Sequence, residues 1–357
     1  MVAATHPAHS AQSHRPFTVG AVLATGATLL FVFWLLFNWG GAHVTLEVDD
    51  IGEGIAAWCA TAVCTMAALR APSGRATWGL FAMSSFAWGA GEAVWCYYAL
   101  IKNVSVPFPS LADVGFLIAV PFAFAGLLVY PAGAHRRITR MKEVFDGCII
   151  AASLLFASWA MLLGPLYRSH QGSVLQQVVS LTYPISDVVM VSLVVILIAR
   201  AGSTGRIRLQ LLMAGVVAFA VSDSAFSYLT EVNNYNNSNL LDTGWVAGYL
   251  LIALGALWTL TSPAPEEALD RESTISVTAP YVPVLIVLVA ISVELMRGHR
   301  IGTVTWFMAV ALAVLVLGRE LLRLAERLGH NDLDSLFSDP GREPPSDQSA
   351  DAALVPR

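Results

Sequence analysis

The sequence predicts an all-α protein, a polytopic membrane helical bundle of about ten transmembrane helices. Only 13% of its 357 residues are charged and 56% are hydrophobic, and the mean hydropathy is +0.64. A soluble domain carries about 25% charged residues, so this composition cannot cover a water-exposed surface. Apolar runs of about 20 residues, the length that crosses a bilayer, recur along the chain. These observations exclude soluble enzymes and nucleic-acid-binding folds for residues 17–328, so no nucleic-acid partner is expected.

Ten apolar segments account for most of the chain, and the lipid bilayer is their expected partner. The predicted spans are 17–39, 51–71, 77–101, 111–131, 143–164, 175–199, 209–230, 241–261, 280–296 and 302–322. Polar, Pro- and Ser-containing ends flank them, and we expect residues 1–16 and 329–357 to be disordered. The last four residues, 354–357, match the remnant of a thrombin-cleaved expression tag.

The distribution of basic residues predicts the orientation. With the N-terminus inside, Lys102, Arg168, Arg297 and Arg300 lie outside, and the other 16 of the 20 Lys and Arg residues lie inside. Positive charge is retained on the cytoplasmic side of a membrane. We therefore expect a multi-pass protein of the inner (plasma) membrane with both termini in the cytoplasm.

The chain contains a weak internal repeat of four helices at an offset of about 130 residues. Segment Ser110–Gly115 reads Ser-Leu-Ala-Asp-Val-Gly, and segment Asn239–Gly244 reads Asn-Leu-Leu-Asp-Thr-Gly. Glu92 and Asp223 occupy equivalent places upstream. An even number of helices gives both copies the same orientation, as in parallel repeats. The predicted units are 17–131, 143–262, and a final helix hairpin at 280–328.

Three carboxylates lie deep within predicted spans. Glu92 is about 15 Å and Asp223 about 12 Å from the outer boundary, and Asp187 lies near mid-membrane. An ionisable side chain at such depth is costly and marks a functional site by default. Aromatic residues lie nearby, and an acid among aromatic rings suits an organic cation; these residues are Trp88, Trp95, Trp245 and Tyr249. The alternatives are helix packing with an interfacial aromatic belt, and proton transfer.

Asp113 and Asp242 are weaker ligand candidates. Each follows a Ser or Asn by three residues at a predicted helix start, which is the spacing of a capping box. A helix cap is therefore the favoured interpretation for both. The four cysteines lie in apolar runs without metal-ligand spacing, so we expect no metal site and no cofactor.

The last span continues as an amphipathic helix. Leu317, Leu321, Leu324 and Leu328 repeat at spacings of four and three, the seam of a two-stranded coiled coil. This pattern predicts a homodimer through these leucines, with a membrane-anchoring helix end as the alternative.

Three short motifs resemble the membrane module of actinobacterial GGDEF/EAL proteins. They are Phe108-Pro-Ser-Leu-Ala-Asp-Val-Gly-Phe116, Tyr183-Pro-Ile-Ser-Asp187 and Leu241-Asp-Thr-Gly-Trp-Val-Ala-Gly-Tyr249. In that family a similar bundle precedes cyclic di-GMP synthase and phosphodiesterase domains. The resemblance covers about residues 17–328, and no GGDEF or EAL sequence follows Gly329. It implies a sensory input role without catalytic activity.

The sequence therefore favours a sensor or receptor with an outward-facing acidic and aromatic pocket, signalling to a cytoplasmic partner or output domain. A cation- or proton-coupled secondary transporter is the alternative. An intramembrane aspartyl hydrolase using Asp187 and Asp223 ranks last, because the expected YD and GxGD contexts are absent. With no catalytic motif, the chain is not expected to be an enzyme.

Overall fold

The computed structural model describes residues 15–130, 137–164, 167, 173–200, 206–231, 239–261, seven positions between 284 and 296, and 302–337. Within these ranges the regular elements are all helical. The nine α-helices of this part are α1 (Arg15–Phe37), α2 (Ala42–Arg70), α3 (Arg75–Cys96), α4 (Leu111–Leu128), α5 (Arg137–Ser158), α6 (Val174–Arg200), α7 (Arg206–Glu231), α8 (Thr243–Thr261) and α9 (Thr303–Phe337). Short π-helical turns extend α3 over Tyr97–Ile101 and α5 over Trp159–Leu163, and a 3₁₀ turn at Leu240–Asp242 precedes α8.

Six of these helices are long and apolar enough to cross a membrane, namely α1, α2, α4, α6, α7 and α8. The protein is therefore a multi-pass helical membrane protein. A seventh apolar stretch, Phe145–Ser158 in α5, is shorter. The predicted span at 280–296 lies largely outside the described residues. Of the predicted disordered ends 1–16 and 329–357, residues 1–14 and 338–357 also lie outside them.

Two predicted boundaries were wrong. Helix α2 begins at Ala42, nine residues before the predicted start at 51, because acidic residues that were assigned to a loop are accommodated inside the bundle. Helix α9 continues to Phe337, so residues 329–337 are helical where a disordered tail was expected. The next proline is Pro340, and proline cannot continue a helix.

Neighbouring helices along the chain pack side by side in two groups. Helices α2, α3 and α4 pack in succession, as do α6, α7 and α8. The groups meet through α2 with α8 and through α4 with α6. Helix α1 lies against α2 and α8, while α5 joins α6 to α9.

Glycines allow the helix backbones to touch at two places. A Cβ atom on Gly115 of α4 would lie 2.6 Å from Cα of Gly91 in α3. A Cβ on Gly244 of α8 would lie 2.7 Å from the backbone oxygen of Ala218 in α7. Small residues permit such close approach between membrane helices. The glycines of the two repeat motifs therefore set the α3–α4 and α7–α8 spacing.

Helix α9 has one face against α5 and another that is open. Arg319 on α9 is 2% exposed and forms an ion pair with Asp146 on α5. On the open face, Leu317, Leu321 and Leu324 are 61%, 57% and 54% exposed. The side chain of Leu328, the fourth predicted seam residue, lies outside the described residues.

Candidate functional site: an acidic and aromatic cavity

Two capping boxes fix the start of α4 and of the turn before α8. The Ser110 amide donates to Asp113 Oδ2 at 2.6 Å, and the Ala112 amide donates to Ser110 Oγ at 3.1 Å. The Asn239 amide donates to Asp242 Oδ2 at 2.7 Å in the second copy. Both predicted caps are confirmed, because the spacing of three residues places the acid over the exposed amides of the first turn.

A cavity of about 130 Å³ lies between the two helix groups. Eight of the nine candidate residues line it. These are Trp88, Glu92, Trp95, Asp113, Asp187, Asp223, Trp245 and Tyr249. The ninth, Asp242, is buried beside the cavity rather than on its wall. The structure therefore brings together residues from α3, α4, α6, α7 and α8 that were selected by depth and residue type alone.

Helix α2 contributes two acids that the sequence analysis missed. Asp50 and Glu53 line the cavity and are 4% and 7% exposed. With the predicted span starting at 51, Asp50 falls in the preceding loop and Glu53 lies at the edge of the span rather than deep within it, so neither was selected by depth. The Asp49-Asp50-x-x-Glu53 pattern, with acids one helical turn apart, was the available signal.

Asp50, Glu53 and Glu92 form what we call the α2–α3 group. Glu92 lies close enough to Asp50 and Glu53 to interact electrostatically with both. The Trp95 side chain lies beside Asp50 and also lines the cavity. The thiol of Cys96 donates to Glu92 Oε1 at 3.7 Å. This group thus concentrates three carboxyl groups on one side of the cavity.

Asp187 and Asp223 form what we call the α6–α7 group, on the other side. The two carboxyl groups are within electrostatic range of each other. The indole N–H of Trp245 donates to Asp223 Oδ1 at 2.6 Å. Nearby, the hydroxyl of Tyr183 donates to Asp113 Oδ1 at 2.6 Å, which ties α6 to the cap of α4.

Aromatic rings form the wall between the two groups. The Trp88 ring centroid lies 5.0 Å from those of Phe116 and Tyr249. Phe219 and Tyr249 lie 4.8 Å apart at an interplanar angle of 85°. Tyr249 is within electrostatic range of both Glu92 and Asp223. The wall therefore contacts both acidic groups and offers ring faces to whatever occupies the cavity.

Asp242 belongs to a separate buried cluster with Asp49 and Glu53. One carboxylate oxygen from each lies within 4.8 Å of the other two. Such a set of oxygen atoms could hold a hard cation such as Mg²⁺ or Ca²⁺, which the sequence analysis did not anticipate. Glu53 connects this cluster to the cavity, because it lines the cavity wall as well.

The chemistry of the cavity is that of a cation site. Among the described residues, none of those lining it is a lysine, arginine or histidine. Oδ2 of Asp50 and Oδ2 of Asp187 are buried and accept no hydrogen bond from the described residues. A buried polar atom without a partner is costly, and a charged one more so. A bound cation would give both oxygens a partner of opposite charge.

The chain matches no protein-family model, no curated protein and no solved structure.

Proposed function

We propose that this protein is a membrane receptor for a small organic cation. The observation that carries the proposal is the cavity between the two helix groups. There, acids from five helices surround an aromatic wall, with no basic side chain among the described lining residues. Carboxylates supply the counter-charge, and the faces of Trp and Tyr rings attract cations within about 6 Å. A purely structural role explains neither the unpartnered oxygens nor the space between them.

The size of the cavity limits the ligand. A cavity of about 150 Å³ in another protein holds one benzene molecule, and this one measures about 130 Å³. The ligand should therefore contain roughly six heavy atoms. Inorganic cations would not use the aromatic wall.

We further propose the finer architecture of ten spans with two parallel four-helix repeats and both termini in the cytoplasm. In the proposed repeat, α2 corresponds to α6 and α4 corresponds to α8. A contact between α2 and α8 should then have a counterpart between α6 and α4, and both contacts are present. Asp187 faces the cavity from the middle of α6. The other acids that face it lie in the first half of α2, at the start of α4 and toward the ends of α3 and α7. These helix ends share one side of the membrane, which is the outer side under the positive-inside rule.

Labelling tests this orientation. A single cysteine placed in 232–238 should react with an impermeant thiol reagent in intact cells, whereas one in 203–205 should react only after permeabilisation. The reverse pattern would overturn the proposed orientation.

A path for the signal runs from α6 through α5 to α9. Asp187 lies on α6, α6 packs on α5, and α5 holds α9 through the Asp146–Arg319 ion pair. Helix α9 continues for 18 residues beyond Arg319, about 27 Å at 1.5 Å per residue. Leu317 and Leu321 lie within the proposed span 302–322, where lipid can cover them, but Leu324 lies beyond it and is 54% exposed. A second copy of α9 would cover this leucine and continue the seam. This arrangement is that of an input module coupled to a cytoplasmic partner.

Cross-linking tests the dimer. Single cysteines at positions 320–328 should cross-link between protomers, and Leu321→Gln with Leu324→Gln should abolish that product while membrane insertion is unchanged. Cross-linking that is unaffected by these substitutions would leave α9 as an anchor only.

Thermal stabilisation tests the binding function. Purified full-length protein should melt at higher temperature with small amines, since a ligand at 100 times its Kd stabilises by about 2.7 kcal/mol. Combined in one protein, Glu92→Gln and Asp223→Asn keep the side-chain shapes, remove a carboxylate from each acidic group and should remove this shift. Glu47→Gln, on α2 but 44% exposed in its side chain, is the matched control and should retain it. If no amine shifts wild type and the double variant melts higher, the acids serve packing and the proposal fails.

A secondary transporter is the second candidate, favoured by the matching contacts between the proposed repeats. Transport requires the same site to open inward. Uptake of a labelled amine into proteoliposomes, driven by an imposed proton or cation gradient, would establish it. Binding without flux would favour the receptor.

A further inference from the structure

The cavity presents two separate anionic ends rather than one. The α2–α3 group and the α6–α7 group come from different helix groups, which contact each other through α2–α8 and α4–α6. Glu92 interacts electrostatically with Asp50, and Asp187 with Asp223. Tyr249 lines the cavity and is within electrostatic range of members of both groups.

Each end is built in the same way. One carboxylate in each group has a tryptophan beside it: the Trp245 indole N–H donates to Asp223, and Trp95 lies next to Asp50. Each also contains one oxygen that accepts no hydrogen bond from the described residues, Oδ2 of Asp50 and Oδ2 of Asp187. These two aspartates are only 4% and 9% exposed. Both line the same cavity.

The middle of the cavity is apolar and aromatic. Trp88, Phe116, Phe219 and Tyr249 pack with ring centroids 4.8–6.4 Å apart. Burial of a ligand's methylene groups against such a surface is favourable. Methylene groups cannot, however, donate hydrogen bonds to the carboxylates. The cavity thus matches a molecule with a positive, hydrogen-bond-donating group at each end and a short hydrocarbon between them.

We propose that the ligand is a short linear diamine, an α,ω-diaminoalkane of about three to five carbons, with one ammonium on each acidic group. This inference rests on the proposed function and specifies its ligand class. With roughly six heavy atoms allowed by the volume, a four-carbon diamine fits. Joining the two ammonium groups makes the second contact intramolecular, which raises affinity by about 10²–10⁴ over either end alone.

The decisive experiment compares two series of amines on the wild-type protein. Isothermal titration of full-length protein in nanodiscs should give a sharp affinity optimum among diamines of two to eight carbons. At that optimum the diamine should bind at least about 100-fold tighter than the monoamine of equal carbon number. Monoamines that bind as tightly as diamines, or affinities that rise steadily with carbon number in both series, would overturn the diamine. This measurement needs no variant.

Variants locate the two ends. Asp50→Asn and Asp187→Asn should each weaken diamine binding at least tenfold, whereas each should weaken monoamine binding no more than about twofold, because the other group remains. Glu47→Gln should change neither affinity. Loss confined to one of the two variants would reduce the site to a single anionic end. Failure of every amine to bind wild type would instead refute the proposed function, so the two failures are distinguishable.

Discussion

The contact between α3 and α4 makes Gly115→Ala the most informative stability test. The added Cβ would lie 2.6 Å from both Cα and N of Gly91 and 2.7 Å from the carbonyl oxygen of Ala87. All three are backbone atoms, so no side chain can rotate away. Ordinary carbon contacts need about 3.5–4.0 Å, and α4 must therefore retreat from α3 by roughly 1 Å.

The expected cost follows from that displacement. Overpacking of a well-packed interface costs about 1–3 kcal/mol. Alanine is favoured over glycine within a helix by about 0.8–1.0 kcal/mol, which offsets part of it. We therefore expect a net loss of up to about 2 kcal/mol. The displacement also moves the cap residue Asp113 and the wall residue Phe116, so amine affinity should fall together with stability.

The assay is equilibrium unfolding of the purified protein in mixed micelles, read by tryptophan fluorescence. Gly26→Ala on α1 is the matched control, because a Cβ there meets no atom within 4 Å. That control should be neutral or slightly stabilised. If Gly115→Ala is as stable as Gly26→Ala, the backbone contact does not exist as described and the reasoning is refuted.

Two further predictions concern buried polar contacts. Asp146→Asn should destabilise the protein by up to about 3 kcal/mol, because it leaves the buried Arg319 charge without this partner; replacing both with leucine should restore most of the loss in the same unfolding assay. Tyr183→Phe removes the 2.6 Å hydrogen bond to Asp113 and should cost about 1.5–3 kcal/mol, while Tyr228→Phe, on an exposed side chain, should cost nothing measurable.

Much of the site could be predicted because position along a helix fixes depth. Glu92 and Asp223 were placed at similar depth from helical rise alone, and both line one cavity. The caps at Asp113 and Asp242 follow from local spacing, which needs no tertiary information. Depth and capping are both properties of one helix and its sequence.

The rest depended on contacts between helices. Asp50 and Glu53 were missed because hydropathy separates a span from a loop by average composition, and acids shielded by neighbouring helices lower that average. The pairing of Arg319 with Asp146 joins positions 173 residues apart, and nothing in either helix alone specifies it. The same holds for the division of the acids into two groups, which is decided by the faces that α2 and α6 turn toward the cavity.

The glycine contacts have a mechanical consequence. Where helix backbones touch, no layer of side chains lies between them that could deform. The α3–α4 pair and the α7–α8 pair should therefore each move as a rigid unit. The cavity lies between these two rigid helix pairs. Its width is then set by the angle between the pairs rather than by any single side chain. A ligand that contacts both helix pairs would fix this angle. Helix α6 contacts α4, α5 and α7. It would therefore transmit a change of this angle to α5, and through α5 to α9.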